Sequence, residues 1–322
     1  MSRGLLTRAD LPPDAITVSN NGLKNWYDCR YKWRLIYVEN IGRSNFVSEK
    51  ANLGDIFHKF QQWYYNQYIG TAVGPVDEIG QMQALQFVQD HCENTAEAGA
   101  NLFKIFMIWN LYTEWAAKQE TLVPTATEVE TFADTGIVSR DGRPIYLHVI
   151  IDLLGDNEDK LAIVDHKSHT NRHWTKERIL HDPQLIFYWI ALELQGYHVD
   201  VAIINSVNVA VPKDDQKFRA SLRGPERFAR FERLYLTEKD VKLQFYFDEI
   251  SKNIKEMWVV SHPEYPMRLT DNCAFCAYRE HIPMDAAGNS AGAMVHLRSR
   301  FNTEVTDLEV FDDTEDIVDS GT

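Results

Sequence analysis

The chain has 322 residues, of which 44% are hydrophobic and 25% charged, the balance of a folded globular protein with a sizeable core rather than of a disordered one. No uncharged apolar run approaches the roughly 18 residues of a membrane span, and the opening stretch, with Arg3, Arg8 and Asp10 around Gly4-Leu5-Leu6, lacks the apolar segment of a secretory signal. No membrane partner is expected, and a cytoplasmic location is. The net charge of −14 is unevenly spread: residues 302–322 carry eight acids and no Lys or Arg, which leaves −6 for the body, so nucleic acid is not excluded as a partner.

In chain order, residues 1–16 read as an N-terminal extension. Ser19 or Asn20 can cap a helix running to about Val38, with Leu23, Trp26, Tyr27, Trp33 and Tyr37 as its apolar stripe. Further helices are expected at about 50–68, 76–96 and 100–118, so that about 70–120 forms a helical insertion. From Val123 the pattern turns extended. Thr125–Phe132 alternates loosely, Asp141-Gly142 marks a hairpin turn, Ile145–Leu154 is β-rich, and Leu161–Asp165 is a short apolar strand. A helix at about Pro183–Gln195 and a strand at about Val199–Val209 follow, then a stretch rich in bases and an amphipathic helix at about 237–259. Strands preceded and interrupted by helices predict an α/β fold, a mixed sheet flanked by helices.

Asp152 falls near the end of one predicted strand and Asp165-His166-Lys167 at the end of the next. If the two pair as a meander, both carboxylates and the lysine converge at one end of the sheet. Hard divalent cations favour such oxygen ligands, and a nearby lysine can orient or deprotonate water while offsetting phosphate charge. Gly54 and His58 share a helix face, as do Gln184 and Tyr188 at the start of a later helix. Any one of these groups is equally what a solvated turn or an amphipathic helix contains. Glu128 and Glu130, alternate residues on a predicted strand, are reserve ligands.

The set in order, Gly54 to His58, Asp152, Asp165-His166-Lys167 and Gln184 to Tyr188, resembles the RecB-like branch of the PD-(D/E)XK nuclease superfamily, to which CRISPR adaptation nucleases and some phage exonucleases are also similar. The resemblance covers about residues 17–280, within an expected nuclease domain at 17–285, and includes the opening Ser19–Tyr37 segment. Val149 stands where the family usually has Gly, three residues before the strand Asp. The resemblance implies a restriction-endonuclease-like fold and a Mg²⁺- or Mn²⁺-dependent DNA nuclease, an exonuclease of recombination, repair or phage DNA processing. It further implies that His58, Asp152 and Asp165 bind the metal, that Lys167 positions or activates water, and that Gln184 and Tyr188 contact DNA. The rival class is a non-catalytic DNA-binding or scaffolding protein that has kept the fold.

Lys213, Lys217, Arg219 and Arg223, continuing to Arg227, Arg230 and Arg233, are a candidate phosphate track. Lys24, Arg30, Lys32 and Arg34, interleaved with Trp26, Tyr27, Tyr31 and Trp33, could add stacking for single strands, although aromatics at helical spacing more often face a core. Relatives of the resembled branch hold an iron–sulfur cluster with one early Cys and a late Cys set. Here Cys29, Cys273 and Cys276 match, the final Cys is absent, and His281 is the nearest substitute, so a cluster, zinc or three free thiols all fit. No GxxxxGK[ST] loop occurs, so ATP-driven unwinding would come from a helicase or recombination partner. Residues 286–322 are expected to form an acidic, disordered tail.

Overall fold

The computed structural model describes residues 4–38, 53–91, 95–119, 121–170, 174–181, 183–212 and 214–259. In chain order the elements are β1 (Ile16–Ser19), α1 (Asn20–Asp28), α2 (Arg30–Tyr37), α3 (Leu53–Asn66), α4 (Glu78–His91), α5 (Thr95–Gln119), β2 (Leu122–Val138) and β3 (Pro144–Asn157). They continue as β4 (Leu161–His169), α6 (Lys176–His181), α7 (Pro183–Leu194), β5 (Val201–Asn208), α8 (Asp215–Ser221), β6 (Phe231–Thr237) and α9 (Leu243–Trp258). The chain divides into two compact units. One holds Met1–Thr17, Ser48–Val138 and Arg143–Ser251, and the other Val18–Val47, Ser139–Gly142 and Lys252–Thr322.

The first unit is built on a six-stranded mixed sheet, ordered β1-β3-β4-β5-β6 with β2 paired on β3. β2, β3 and β4 are the expected antiparallel meander. β4 and β5 run parallel, which requires a crossover, and α6 and α7 supply it. Ala162 and Val164 of β4, Leu153 of β3 and Val201, Ile203 and Val207 of β5 join one core with Phe57, Phe60 and Tyr64 of α3 and Trp109 and Tyr112 of α5. Strand residues of the opposite parity, such as Ile163, serve α7, whose residues 185–192 are all buried. That complete burial is why α7 reads as an apolar run rather than as an amphipathic stripe.

β6 was not expected. The bases of 213–233 suggest a surface segment, yet Phe231–Thr237 pairs antiparallel with β5 as an edge strand whose buried members are Phe231 and Leu236. Among these bases, Arg230 is half-buried and donates to the carbonyls of Asn208 and Ala210 and to Ser221 Oγ, each at 3.0 Å. Arg227 lies over Phe228 and near Glu114, and Arg233 donates to Tyr65 Oη at 3.1 Å. These three arginines make contacts within the fold, whereas Lys217, Arg219 and Arg223 are exposed; Lys213 lies outside the described residues.

Gly155 in β3 is enforced by packing. A Cβ there would sit 2.6 Å from Leu122 Cδ1 and 2.9 Å from the Val123 carbonyl oxygen of β2. Leucine can rotate away but the backbone cannot, so Gly155→Ala is expected to destabilise by about 1–3 kcal/mol. A thermal melt lowered by several degrees checks this, and an unchanged midpoint would contradict it.

In the second unit, Ser19 Oγ accepts the Gly22 N–H at 3.1 Å and caps α1 as expected. The single helix expected to Val38 is instead two helices, because Cys29 adopts an extended backbone (φ −160°, ψ 109°) between them. Trp26 and Trp33 meet edge to face at 5.0 Å, and with Tyr31 they are buried. Arg30 lies over Trp26 and pairs with Glu256 at 2.7 Å. These aromatics are therefore core, and only Tyr27, 42% exposed, keeps a ring open to a nucleobase. The other expected ligands that accompany Cys29, namely Cys273, Cys276 and His281, and the acidic tail lie outside the described residues.

Candidate active site

Three carboxylates share one row of the sheet. The β2–β3 register, with Thr127 opposite Leu153 and Val129 opposite Ile151, puts Glu128 across from Asp152. One step past the Leu153–Val164 pair, Asp152 faces Asp165 on β4. His58, on α3, reaches this row from outside the sheet: its Nε2 lies 2.8 Å from Glu128 Oε1 and its Nδ1 3.8 Å from Asp152 Oδ2. His58, Glu128 and Asp152 each offer a ligand atom within 4.8 Å of the other two. The geometry thus brings Glu128 together with His58 and Asp152.

Glu128 takes that place through its backbone. Its φ of 49° is left-handed, a conformation costly for a residue with a Cβ and concentrated at functional sites. The twist also breaks the alternation that would put Glu130 beside it. Glu130 is exposed and accepts from His148 Nε2 at 2.8 Å. Burial alone would raise the Glu128 carboxyl, but the hydrogen bond and charge of His58, with the charge of Lys59, outweigh it and hold the group below its ordinary value.

Asp152 is buried, and Oδ2 accepts the His166 N–H at 2.7 Å, joining β3 to β4 next to their ladder. Desolvation pushes its carboxyl up to about 7; the His58 and Lys167 charges oppose this, and the Asp165 and Glu128 charges reinforce it. A buried carboxyl crowded by two others is the environment in which a divalent cation replaces a proton. The donor set, one imidazole and two carboxylates, suits a small divalent cation such as Mn²⁺ or Mg²⁺.

Asp165, 1% exposed, pairs with Lys167 Nζ at 3.0 Å. The ammonium also donates to Gln184 Oε1 at 2.7 Å, and Gln184 Nε2 donates to Tyr188 Oη at 2.6 Å. Gln184 and Tyr188 therefore form a relay from α7 that fixes the lysine, with Tyr188 itself buried. His166 points to the opposite side of β4. It stacks on Tyr65 at 5.3 Å, with Asn205 Nδ2 3.0 Å from its Nδ1, and burial, aided by the charges of His58, Arg233 and Lys167, holds it well below its ordinary value. Asn205 also donates to Tyr112 Oη, which meets Tyr65 Oη at 2.6 Å. His166, Asn205 and Arg233 are cross-strand neighbours on β4, β5 and β6, so this buried polar row underpins the strand end that carries Asp165 and Lys167.

The fold is a mixed sheet whose β3–β4 meander brings acids and a lysine together. The model of the PD-(D/E)XK nuclease superfamily matches residues 17–281, and the chain belongs to that superfamily. Its members generally use divalent metals. No curated protein matches the sequence. Among solved structures, one titled "Crystal structure of SSO0001" is similar to this chain at 12% identity over 69% of this chain and 82% of that one, with a TM-score of 0.31. Among the described residues, no helix is long and apolar enough to cross a membrane.

Proposed function

We propose that the protein is a Mg²⁺- or Mn²⁺-dependent deoxyribonuclease that degrades DNA from its ends, in recombination, repair or phage DNA processing. The observation that carries this reading is the placement of His58, Glu128 and Asp152 within ligand distance of one another, in the same strand row as the Asp165–Lys167 pair. His58, Glu128 and Asp152 would hold the ion, with Asp165 behind them as a further negative charge. A divalent cation at this place supplies charge against the phosphate and makes water more acidic. Lys167, held by Asp165 and Gln184, orients the attacking water and bears part of the charge that develops on the phosphoryl oxygens. Gln184 and Tyr188 keep that ammonium in place, and Lys217, Arg219 and Arg223 give exposed positive charge for the strand.

A purely DNA-binding protein has no use for three crowded carboxylates, which repel phosphate. End-labelled linear DNA and closed circular DNA, each incubated with Mg²⁺, Mn²⁺ or chelator, test the reading. Metal-dependent loss of the linear substrate with the circle intact is expected. Nicking of the circle would move the assignment to an endonuclease, and binding without cleavage of either would leave only the scaffold reading.

A further inference from the structure

Beside the Asp165–Lys167 pair lies a second cation with no counter-charge among the described residues. Trp174, buried between β4 and α6, carries the Arg178 guanidinium over its ring at 4.1 Å. The same ring has Lys167 Nζ at 6.0 Å from its centroid, so the two cations are no more than about 10 Å apart. An indole face attracts a cation, but two cations on one indole repel each other. Lys167 is compensated by Asp165 at 3.0 Å. Arg178 has no carboxylate within ion-pair distance among the described residues, and its Nη1, shut off from solvent, has no hydrogen-bond partner there.

A charged guanidinium N–H withdrawn from water without an acceptor is costly to keep. The local arrangement is therefore a flat, pre-set fork on an aromatic platform, next to the lysine, with no carboxylate paired to it among the described residues. Two oxygens of a phosphate satisfy such a fork in bidentate fashion, which the point charge of a lysine cannot reproduce. The half-buried position of Arg178 leaves the side chain a path to the surface.

We propose that Arg178, laid on Trp174, is a phosphate-binding residue that takes a backbone phosphate of the nucleic-acid strand next to the one positioned at Lys167. This rests on the nuclease reading and deepens it. The strand would be held by two neighbouring cations on one ring, one serving the reacting phosphate and the other its neighbour, so that the register of the cut is set by the protein and not by base sequence. A free inorganic phosphate offers the same oxygens, and the two sources are separable.

The test uses the full chain and a fluorescently labelled single-stranded oligonucleotide in chelator, where no cleavage occurs, across a salt series. Arg178→Ala is expected to raise Kd about tenfold and to make the slope of log affinity against log salt shallower by about 0.7, the loss of one phosphate contact on a single strand. Arg178→Lys is expected to restore the slope while recovering Kd only in part. An Arg178→Ala protein with wild-type Kd and slope overturns the proposal, as does an Arg178→Lys protein indistinguishable from wild type in both. Arg178→Gln, which keeps most of the stem that packs on Trp174, repeats the measurement if the alanine variant melts early. Inorganic phosphate added at constant ionic strength should compete weakly with the oligonucleotide. Tight phosphate binding lost in Arg178→Ala with an unchanged DNA slope would overturn the strand assignment. Wild-type cleavage with Mg²⁺ in parallel separates the two readings: intact cleavage with Arg178-independent binding rejects Arg178 alone, whereas a wild-type chain that neither binds nor cleaves rejects both.

Discussion

Lys167→Met is expected to lower metal-dependent cleavage by about 10²- to 10⁴-fold, the range lost when a positioned acid–base or charge-stabilising group is removed. Methionine keeps the length and most of the volume of the stem, so the change isolates the ammonium. That ammonium is fixed from two sides, 3.0 Å from Asp165 and 2.7 Å from Gln184, and a water-filled gap cannot replace it. The substitution also leaves the Asp165 carboxylate, 1% exposed, without its cation, and breaking a buried pair in this way typically costs about 3–5 kcal/mol. Activity and stability must therefore be measured together. In the double variant Asp165→Asn with Lys167→Met the unpaired charge is gone, so the melt should recover most of what Lys167→Met lost while cleavage stays absent. End-labelled linear DNA with Mg²⁺ and with Mn²⁺ is the readout. Residual cleavage above about a tenth of wild type in a folded Lys167→Met protein would reject the role given to this lysine, since even the low end of that range predicts less.

Much of this site is legible in the sequence, and the reasons differ residue by residue. Asp152, Asp165 and Lys167 stand out because the apolar runs of two expected strands end on them, although β3 continues to Asn157 and β4 to His169. Gln184 and Tyr188 are visible by their i, i+4 spacing, but spacing does not say which partner they serve: the expectation was DNA, and the structure joins them to Lys167. Glu128 was one of two equal candidates. Nothing in a Thr-Glu-Val-Glu stretch announces a left-handed glutamate or its contact with His58, 70 residues away in the chain. The row behind the site, His166, Asn205 and Arg233, was invisible because it exists only when β4, β5 and β6 lie side by side, and β6 was hidden in a segment whose bases resembled a solvated surface. The break at Cys29 was hidden for a similar reason: the aromatic periodicity of residues 20–37 carries through it without interruption.

Asp152→Asn should abolish metal-dependent cleavage and at the same time make the metal-free protein more stable above neutral pH. The carboxyl is ordinarily near 3.8 and is pushed up to about 7 in the fold, chiefly by desolvation, so between those values the folded chain holds a proton that the unfolded chain has released. Stability then falls as pH rises from about 4 to about 7, and the whole penalty is present above 7. Asparagine carries no charge to desolvate, and its amide oxygen can still accept the His166 N–H that Oδ2 accepts at 2.7 Å. In chelator at pH 8 the variant should therefore melt above the wild type, while at pH 4 the two should nearly coincide. Added Mn²⁺ should reverse the order at pH 8, because the wild type gains stability by binding the ion and the variant, having lost a ligand charge, gains much less. Below pH 7 the wild type must give up the Asp152 proton to bind, so its metal affinity should also weaken as pH falls. A variant that is no more stable than wild type at pH 8 in chelator would mean that Asp152 is not a desolvated charge. One that still cleaves would mean that it is not a ligand. The two measurements together decide whether the strain in this strand row is kept for metal-dependent chemistry or is a packing accident, since only the first predicts that relieving it costs activity.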